Sequence, residues 1–165
     1  MLLIELLIII EVNGYDDKWI KQRLTGVVDR YKLTDVWKKS GITKNYEYGI
    51  LTNEIYQEWS GMKASQYKAY KGLRKESLRD NMTDIEVTLT DLGEIATREL
   101  VKEHKPYGLK ENREMARRGG RIAKNTRDNL ERELGKSVIS TENALNYKYV
   151  NDNKLIEDKK IKKKK

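Results

Sequence analysis

The chain has 165 residues, enough for one domain with a buried core. It contains no cysteine, which excludes disulfides and thiolate zinc sites, and its single proline and many helix formers favour a mainly α fold. The net charge is +8, but six of those charges come from the last lysines, Lys159, Lys160 and Lys162 to Lys165, which leaves +2 for the rest. Binding of nucleic acid by the body of the protein therefore requires a local basic surface.

The first twelve residues, MLLIELLIIIEV, are apolar apart from Glu5 and Glu11. A bilayer span needs about 20 apolar residues, and a secretory signal needs a basic start and a small-residue cleavage site. The sequence therefore predicts neither a membrane span nor a secretory signal in this segment. Two interpretations stay open: a buried first segment, or the start of a truncated reading frame whose apolar side chains have lost their partner and favour self-association.

We therefore divide the chain into three parts. Residues 1–13 form the apolar segment, residues 14–147 form one multi-helix domain, and residues 148–165 form a lysine-rich tail. The tail has low sequence complexity, so we expect it to be disordered and to attract polyanions without sequence choice.

Helical periodicity begins at residues 16–31, where the apolar side chains share one face: Ile20, Leu24, Val27 and Val28. A second, short helix is predicted from Thr34 to near Gly41. Residues 42–51 are aromatic and contain a glycine, and we expect an irregular or briefly extended connection there.

Two helices then flank a glycine turn, the first over NEIYQEW and the second over residues 64–71. This order, with a basic second helix, suggests a helix-turn-helix motif that reads a DNA groove. The match is incomplete, because Gln57 occupies a position that needs a small residue and Tyr67 an inner position that usually holds a compact aliphatic. The contact candidates are Lys63, Lys68 and Lys71, and the alternative is a packed helix pair with solvated lysines.

The longest periodic stretch, residues 71–105, contains the predicted central helix. Thr83 and Glu86 form a capping-box signature at its start. Its apolar side chains recur at helical spacing: Ile85, Leu89, Leu92, Ala96 and Leu100. The only histidine, His104, fits an ordinary position near the helix C-terminus, where the helix dipole favours it.

Residues 109–134 form a second long helix with small side chains along one face, which carries Ala116, Gly119 and Ala123 and reaches Leu130. Gly120 adjoins that face, and two glycines inside a helix cost about 1 kcal/mol each relative to alanine. Either the small face allows another helix to approach closely, or the glycine pair breaks the segment into a hairpin. The sequence leaves both open.

Other faces of this helix are strongly basic, and the candidate contact residues for nucleic acid or an acidic partner are Arg113, Arg117, Arg118, Arg121, Lys124 and Arg127. Steps of four, four and three align four of them as a basic ridge able to follow phosphates: Arg113, Arg117, Arg121 and Lys124. Acidic neighbours neutralise part of it, so a solvated mixed-charge face is the alternative.

A metal-dependent nuclease would need carboxylates that converge on an ion. Asp80, Asp84 and Glu86, with Lys75, are the candidates, but the last two acidic residues fit a helix start. We predict no enzymatic activity, no cofactor, no metal and no small-molecule substrate.

Several strings together resemble the C-terminal region of the DNA-damage-inducible protein D family, whose arrangement also occurs in phage antirepressor-like proteins with a BRO-type N-terminal domain. The resemblance spans roughly residues 14–144, and KGLRKESLRDNMTD and ARRGGRIAKN are its most specific strings. The family's usual BRO domain does not precede this segment, so we expect a truncated or displaced start.

The resemblance implies a cytoplasmic regulatory protein of the bacterial DNA-damage response or of prophages, which binds DNA or a DNA-associated protein. It carries no catalytic residue across. The alternative is a truncated protein-interaction or oligomerisation module without direct DNA contact.

Overall fold

A computed structural model describes residues 17–143, with side-chain burial from residue 21 onward. The predicted apolar segment (1–13) and lysine-rich tail (148–165) lie outside the described residues. Within the described range the structure contains five α-helices, α1 to α5 in chain order, and no strand, which confirms the mainly α prediction. Their bounds are Asp17–Lys39, Asn45–Ser60, Ala64–Tyr70, Asp84–His104 and Gly108–Leu134, with one 3-10 turn at Arg79–Asn81.

Helix α1 is continuous, so the prediction of two separate helices in this region was wrong. Leu33 and Trp37 are both fully buried and lie one turn apart on the same face. A continuous helix buries both, and this packing outweighs the local cap signal at Thr34.

Helix α2 replaces most of the irregular connection that was expected over residues 42–51. Leu51, Ile55 and Trp59 recur every fourth residue and are almost fully buried, so the helix is fixed by its core face. Gly49 lies on the exposed side, where an added Cβ atom would have no neighbouring atom within 4 Å beyond the backbone of its own helix. Tyr46 is exposed like Gly49, whereas Tyr48 packs against Trp37, so the aromatic and glycine signals of this stretch come from both sides of one helix.

Helix α4 starts as predicted at a capping box. The Thr83 side chain accepts a hydrogen bond from the Glu86 amide, and the Glu86 carboxylate accepts one from the Thr83 amide at 3.1 Å. The centre of its buried face differs from the predicted stripe, of which only Leu89 is fully buried. The other buried positions are largely polar or small: Glu86, Thr90, Gly93, Glu94, Thr97 and Val101.

Helix α5 is a single helix, and its small face forms the close contact. Ala116 and Ala123 are fully buried. A Cβ atom added at Gly119 would lie 2.0 Å from Thr97 Oγ1 of α4, and one added at Gly120 would lie 3.0 Å from the Ile55 carbonyl of α2. The glycine pair therefore lets α5 approach α4 and α2 at once, and no break occurs.

In the described part of the chain, no helix has both the length and the apolar character needed to cross a bilayer.

Candidate nucleic-acid interface

The basic ridge of α5 lies beside α2, and glutamates of α2 pair with it. Arg113 donates to Glu54 at 2.5 and 2.9 Å, and Arg117 Nε donates to the other Glu54 oxygen at 3.1 Å. Arg121 Nε lies 3.8 Å from a Glu58 oxygen. Three arginines of the ridge thus share two carboxylates.

The pairs are layered, with the carboxylates beneath the guanidinium groups. The Glu54 and Glu58 side chains are 14% and 29% exposed, whereas those of Arg113, Arg117 and Arg121 are 41%, 40% and 60% exposed. Burial acts to raise the pKa of Glu54, but the hydrogen bonds from Arg113 and Arg117 outweigh it and hold the pKa below its ordinary value. An approaching anion therefore meets cationic groups first.

The rest of the predicted contact set is less uniform. Lys124 pairs with Asp128 at 2.7 Å on the same helix, and Arg118 is exposed, with no ion pair to the described part of the chain. Arg127 instead turns inward: Nη1 donates to the carbonyls of Trp59 and Ser60, both at 3.1 Å. It satisfies the C-terminal carbonyls of α2 and is an unsuitable phosphate contact.

Three comparisons with known proteins leave the chain unplaced. No family model, curated protein or solved structure matches it. The resemblance to the damage-inducible D family therefore stays a prediction, and the site has to be interpreted from its own geometry.

The predicted helix-turn-helix pair exists as α2 and α3, joined through Gly61 in the left-handed conformation. Helix α3 has only seven residues, and Tyr67 is fully buried at its centre. Gln57 is exposed, so the helices do not cross at the position that the motif uses. The pair is anchored to the core by Tyr67 and resembles a packed corner more than a groove reader.

Of the three lysines assigned to that motif, Lys63 is exposed and Lys68 half-buried. Lys71 has to be removed from the contact set, because its side chain is fully buried. Its ammonium donates to Glu86 at 2.8 Å and to the carbonyls of Ser140 and Glu142 at 2.7 and 2.8 Å. All three donors of the ammonium are occupied.

This Lys71 cluster is a structural site that the sequence analysis missed. Tyr67 also donates to Glu86, and burial followed by the Glu86 carboxylate raises the pKa of Tyr67. Asn143 in turn donates to the Lys71 carbonyl at 2.5 Å. The cluster ties the chain after α5 to the start of α4.

A second missed site is an ion cluster that joins α1, the 3-10 turn and α4, formed by Arg30, Arg79, Asp91 and Glu94. Glu94, only 3% exposed, accepts from Arg30 at 3.0 Å and from Arg79 at 3.1 Å, and Arg79 also donates to Asp91. Burial raises the pKa of Asp91 to about 6 against the opposing effect of Arg79. No sequence pattern pointed to it, because Glu94 lies on the side of α4 opposite the predicted apolar stripe.

The residues weighed for metal-dependent cleavage do not converge. Asp80 pairs with Arg23 of α1 at 2.7 Å, and Glu86 belongs to the buried Lys71 cluster. Between residues 17 and 143, no group of three or more acidic or histidine side chains is arranged to hold a metal ion.

Proposed function

We propose that this chain is a cytoplasmic regulatory protein of the damage-inducible D or phage antirepressor type, which acts by binding DNA through the basic ridge of α5. The proposal includes no catalytic step. The observation that carries it is the layering of the ridge, in which exposed guanidinium groups lie above more deeply buried glutamates.

The dimensions of the ridge suit a phosphate backbone. From Arg113 to Lys124 the helix rises about 16 Å, a length over which one DNA strand carries about five phosphates. Because Glu54 and Glu58 compensate part of the charge, we expect moderate, sequence-independent affinity. Sequence choice would have to come from elsewhere, such as a DNA-associated protein.

The test measures binding of the full-length chain to a labelled DNA duplex by fluorescence anisotropy over a range of salt concentrations. In all samples the six lysines of the tail, Lys159, Lys160 and Lys162 to Lys165, are replaced by serine, so that the tail does not contribute. The ridge variant carries Arg113→Gln, Arg117→Gln and Arg121→Gln. Loss of about three phosphate contacts should make the slope of log affinity against log salt shallower by about 2 to 3.

The matched control removes the same three charges elsewhere, by Lys32→Gln, Lys38→Gln and Lys105→Gln, all at exposed positions. It should keep the slope of its parent. Absence of binding at low salt would rule out direct DNA contact by the ridge. An equal change of the salt slope in the ridge and control variants would rule it out as well.

The second candidate is a protein-interaction or oligomerisation module without DNA contact. It is favoured by the neutralisation of the ridge and by exposed apolar side chains on α1, Val28 and Tyr31, at 42% and 57%. Sedimentation velocity at several concentrations separates the two candidates, because a monomer at all concentrations contradicts self-association.

A further inference from the structure

Tyr107, in the link between α4 and α5, is the most exposed of the large apolar and aromatic side chains that the structure describes, at 75%. Exposure alone would not distinguish it, because single apolar side chains are common on protein surfaces. What distinguishes Tyr107 is the surface on which its ring rests.

The ring of Tyr107 lies against the backbone of Gly41, in the link between α1 and α2. A Cβ atom added at Gly41 would lie 2.8, 2.9 and 3.1 Å from the ring carbons Cζ, Cε2 and Cε1. Three adjacent ring carbons at nearly equal distances mean that the ring turns its face, rather than its edge, towards the glycine. One face therefore covers Gly41, and the opposite face is the exposed one.

The backbone on both sides of the ring is fixed by hydrogen bonds. The Gly108 amide donates to the Ser40 carbonyl at 2.8 Å, and the buried side chain of Asn112 donates to the Gly108 carbonyl at 2.8 Å. The Tyr107 amide donates to the Glu111 carboxylate at 2.5 Å. The ring is thus a preorganised flat surface, so a planar group that stacks on it pays little for ordering the protein.

The two links and the adjoining helix ends are rich in lysine. Two lysines there, Lys39 and Lys102, are paired with carboxylates. Glu47 and Glu111 accept hydrogen bonds from backbone amides, and Glu103 is exposed. The remaining lysines are exposed and form no ion pair with residues 17–143: Lys38, Lys44, Lys105 and Lys110. A phosphate chain that passes the ring therefore meets a net positive surface.

We propose that Tyr107 is a stacking platform for an unpaired base of single-stranded nucleic acid, whose flanking phosphates are held by the exposed lysines. An aromatic face beside a basic surface is the combination by which proteins bind single strands without sequence choice. The bases of a duplex are stacked on one another and cannot reach the ring. The inference is therefore independent of the basic ridge, and Lys38 and Lys105 remain suitable control positions for duplex binding.

The test uses the full-length chain with the tail and ridge substitutions described above, so that neither the tail nor the ridge contributes. Its binding to a labelled oligothymidine of about 12 nucleotides is measured by fluorescence anisotropy at low salt. Tyr107→Leu removes the ring, whereas Tyr107→Trp keeps a stacking face. The matched control is Tyr70→Leu, because Tyr70 is 47% exposed and lies in α3, which follows the opposite end of α2. Circular dichroism verifies that each variant is folded.

We expect Tyr107→Leu to weaken binding roughly tenfold, as the loss of one stacked base implies, and Tyr107→Trp and Tyr70→Leu to change it by less than about twofold. An equal loss in Tyr70→Leu would overturn the proposal. So would an equal loss in Tyr107→Trp, because the aromatic face would then play no part. Undetectable binding of the parent protein at low salt would also overturn it.

A second measurement leaves Tyr107 unchanged. Iodouracil replaces one thymine of the oligonucleotide at a time, and irradiation joins it covalently to an aromatic ring stacked on it, with loss of hydrogen iodide. Peptide mass spectrometry of the parent protein should then locate the crosslink at Tyr107. Crosslinks confined to other residues would show that the exposed face is not a base-stacking site.

Discussion

Helix α4 is held on two sides by interfaces of different chemistry. Towards α5 it uses small residues, with Gly119 of α5 set against the backbone of Thr97. Towards α1 and the 3-10 turn it uses the ion cluster, in which Arg30 of α1 and Arg79 of the turn share the buried Glu94. The first interface depends on shape and tolerates no added volume, whereas the second depends on charge balance and changes with pH.

The difference shows how one helix can carry both interfaces. A close approach of backbones leaves no room for long side chains, so the α4–α5 contact excludes charged groups. The α1–α4 contact leaves space for guanidinium groups. The guanidinium carbon of Arg30 also lies 5.8 Å from the Trp37 ring centre, within the range of a cation–π contact.

The largest effect is expected where a buried charge loses its partner. Arg79→Met leaves Asp91 without its guanidinium and Glu94 with Arg30 alone, and we expect the free energy of unfolding to fall by about 3 to 5 kcal/mol. Urea denaturation at neutral pH measures it. The control Arg118→Met removes an exposed arginine and should change stability by less than about 0.5 kcal/mol; similar values for both variants would show that the ion cluster contributes nothing.

A smaller loss is expected at the α4–α5 interface. In Gly119→Ala the new Cβ atom would lie 2.7 Å from the Thr97 amide nitrogen, which cannot rotate away as a side chain would. We expect a loss of about 2 kcal/mol, because overpacking exceeds the gain in helix propensity.

Gly49→Ala is the matched control for that substitution, since Gly49 is also inside a helix but has nothing within 4 Å. It should stabilise the protein by about 0.5 to 1 kcal/mol, as measured by the same urea titration. A stabilising Gly119→Ala would mean that α4 and α5 are not in close contact.

The sequence predicts these two interfaces to different degrees. Small residues at Ala116, Gly119 and Ala123 repeat at helical spacing, so close packing of α5 was one of the two interpretations that its own pattern left open, the other being a break at the glycine pair. The ion cluster joins Arg30 to Glu94, 64 positions apart, and no local spacing reports such a pair. Glu94 also lies off the predicted apolar stripe of α4, so the helix pattern did not mark it as a buried position.

The same limit applies to the candidate site. The spacing of Arg113, Arg117 and Arg121 predicts an aligned ridge, and the structure aligns them along α2. The compensation by Glu54 depends on contacts 59 and 63 residues apart, and the aromatic sequence before that glutamate concealed the start of α2. Lys71 is likewise excluded as a contact residue by a long-range contact, because its ammonium donates to the carbonyls of Ser140 and Glu142, about 70 residues away.

The smallest expected effect is a pH dependence of stability. Its sign distinguishes the buried ion cluster around Asp91 from the pairs that Glu54 forms with the basic ridge. The pKa of Asp91 is raised from 3.8 to about 6 by burial, with Arg79 opposing the shift and Glu94 adding to it. Between these values the folded protein holds a proton that the unfolded chain releases. The stability that Asp91 contributes is therefore complete below its unfolded pKa and is lost as the pH rises through about 6.

Asp91→Asn removes this titration because asparagine is neutral in both states. The stability of the wild type relative to Asp91→Asn should therefore fall by about 1 to 2 kcal/mol as the pH rises from about 4 to 7. Glu54→Gln should show the opposite slope, because the pKa of Glu54 is lowered and its contribution is lost as the pH falls. Urea titrations at four pH values resolve the two signs, and a common slope would mean that the buried cluster and the exposed ridge stabilise the fold through the same electrostatics.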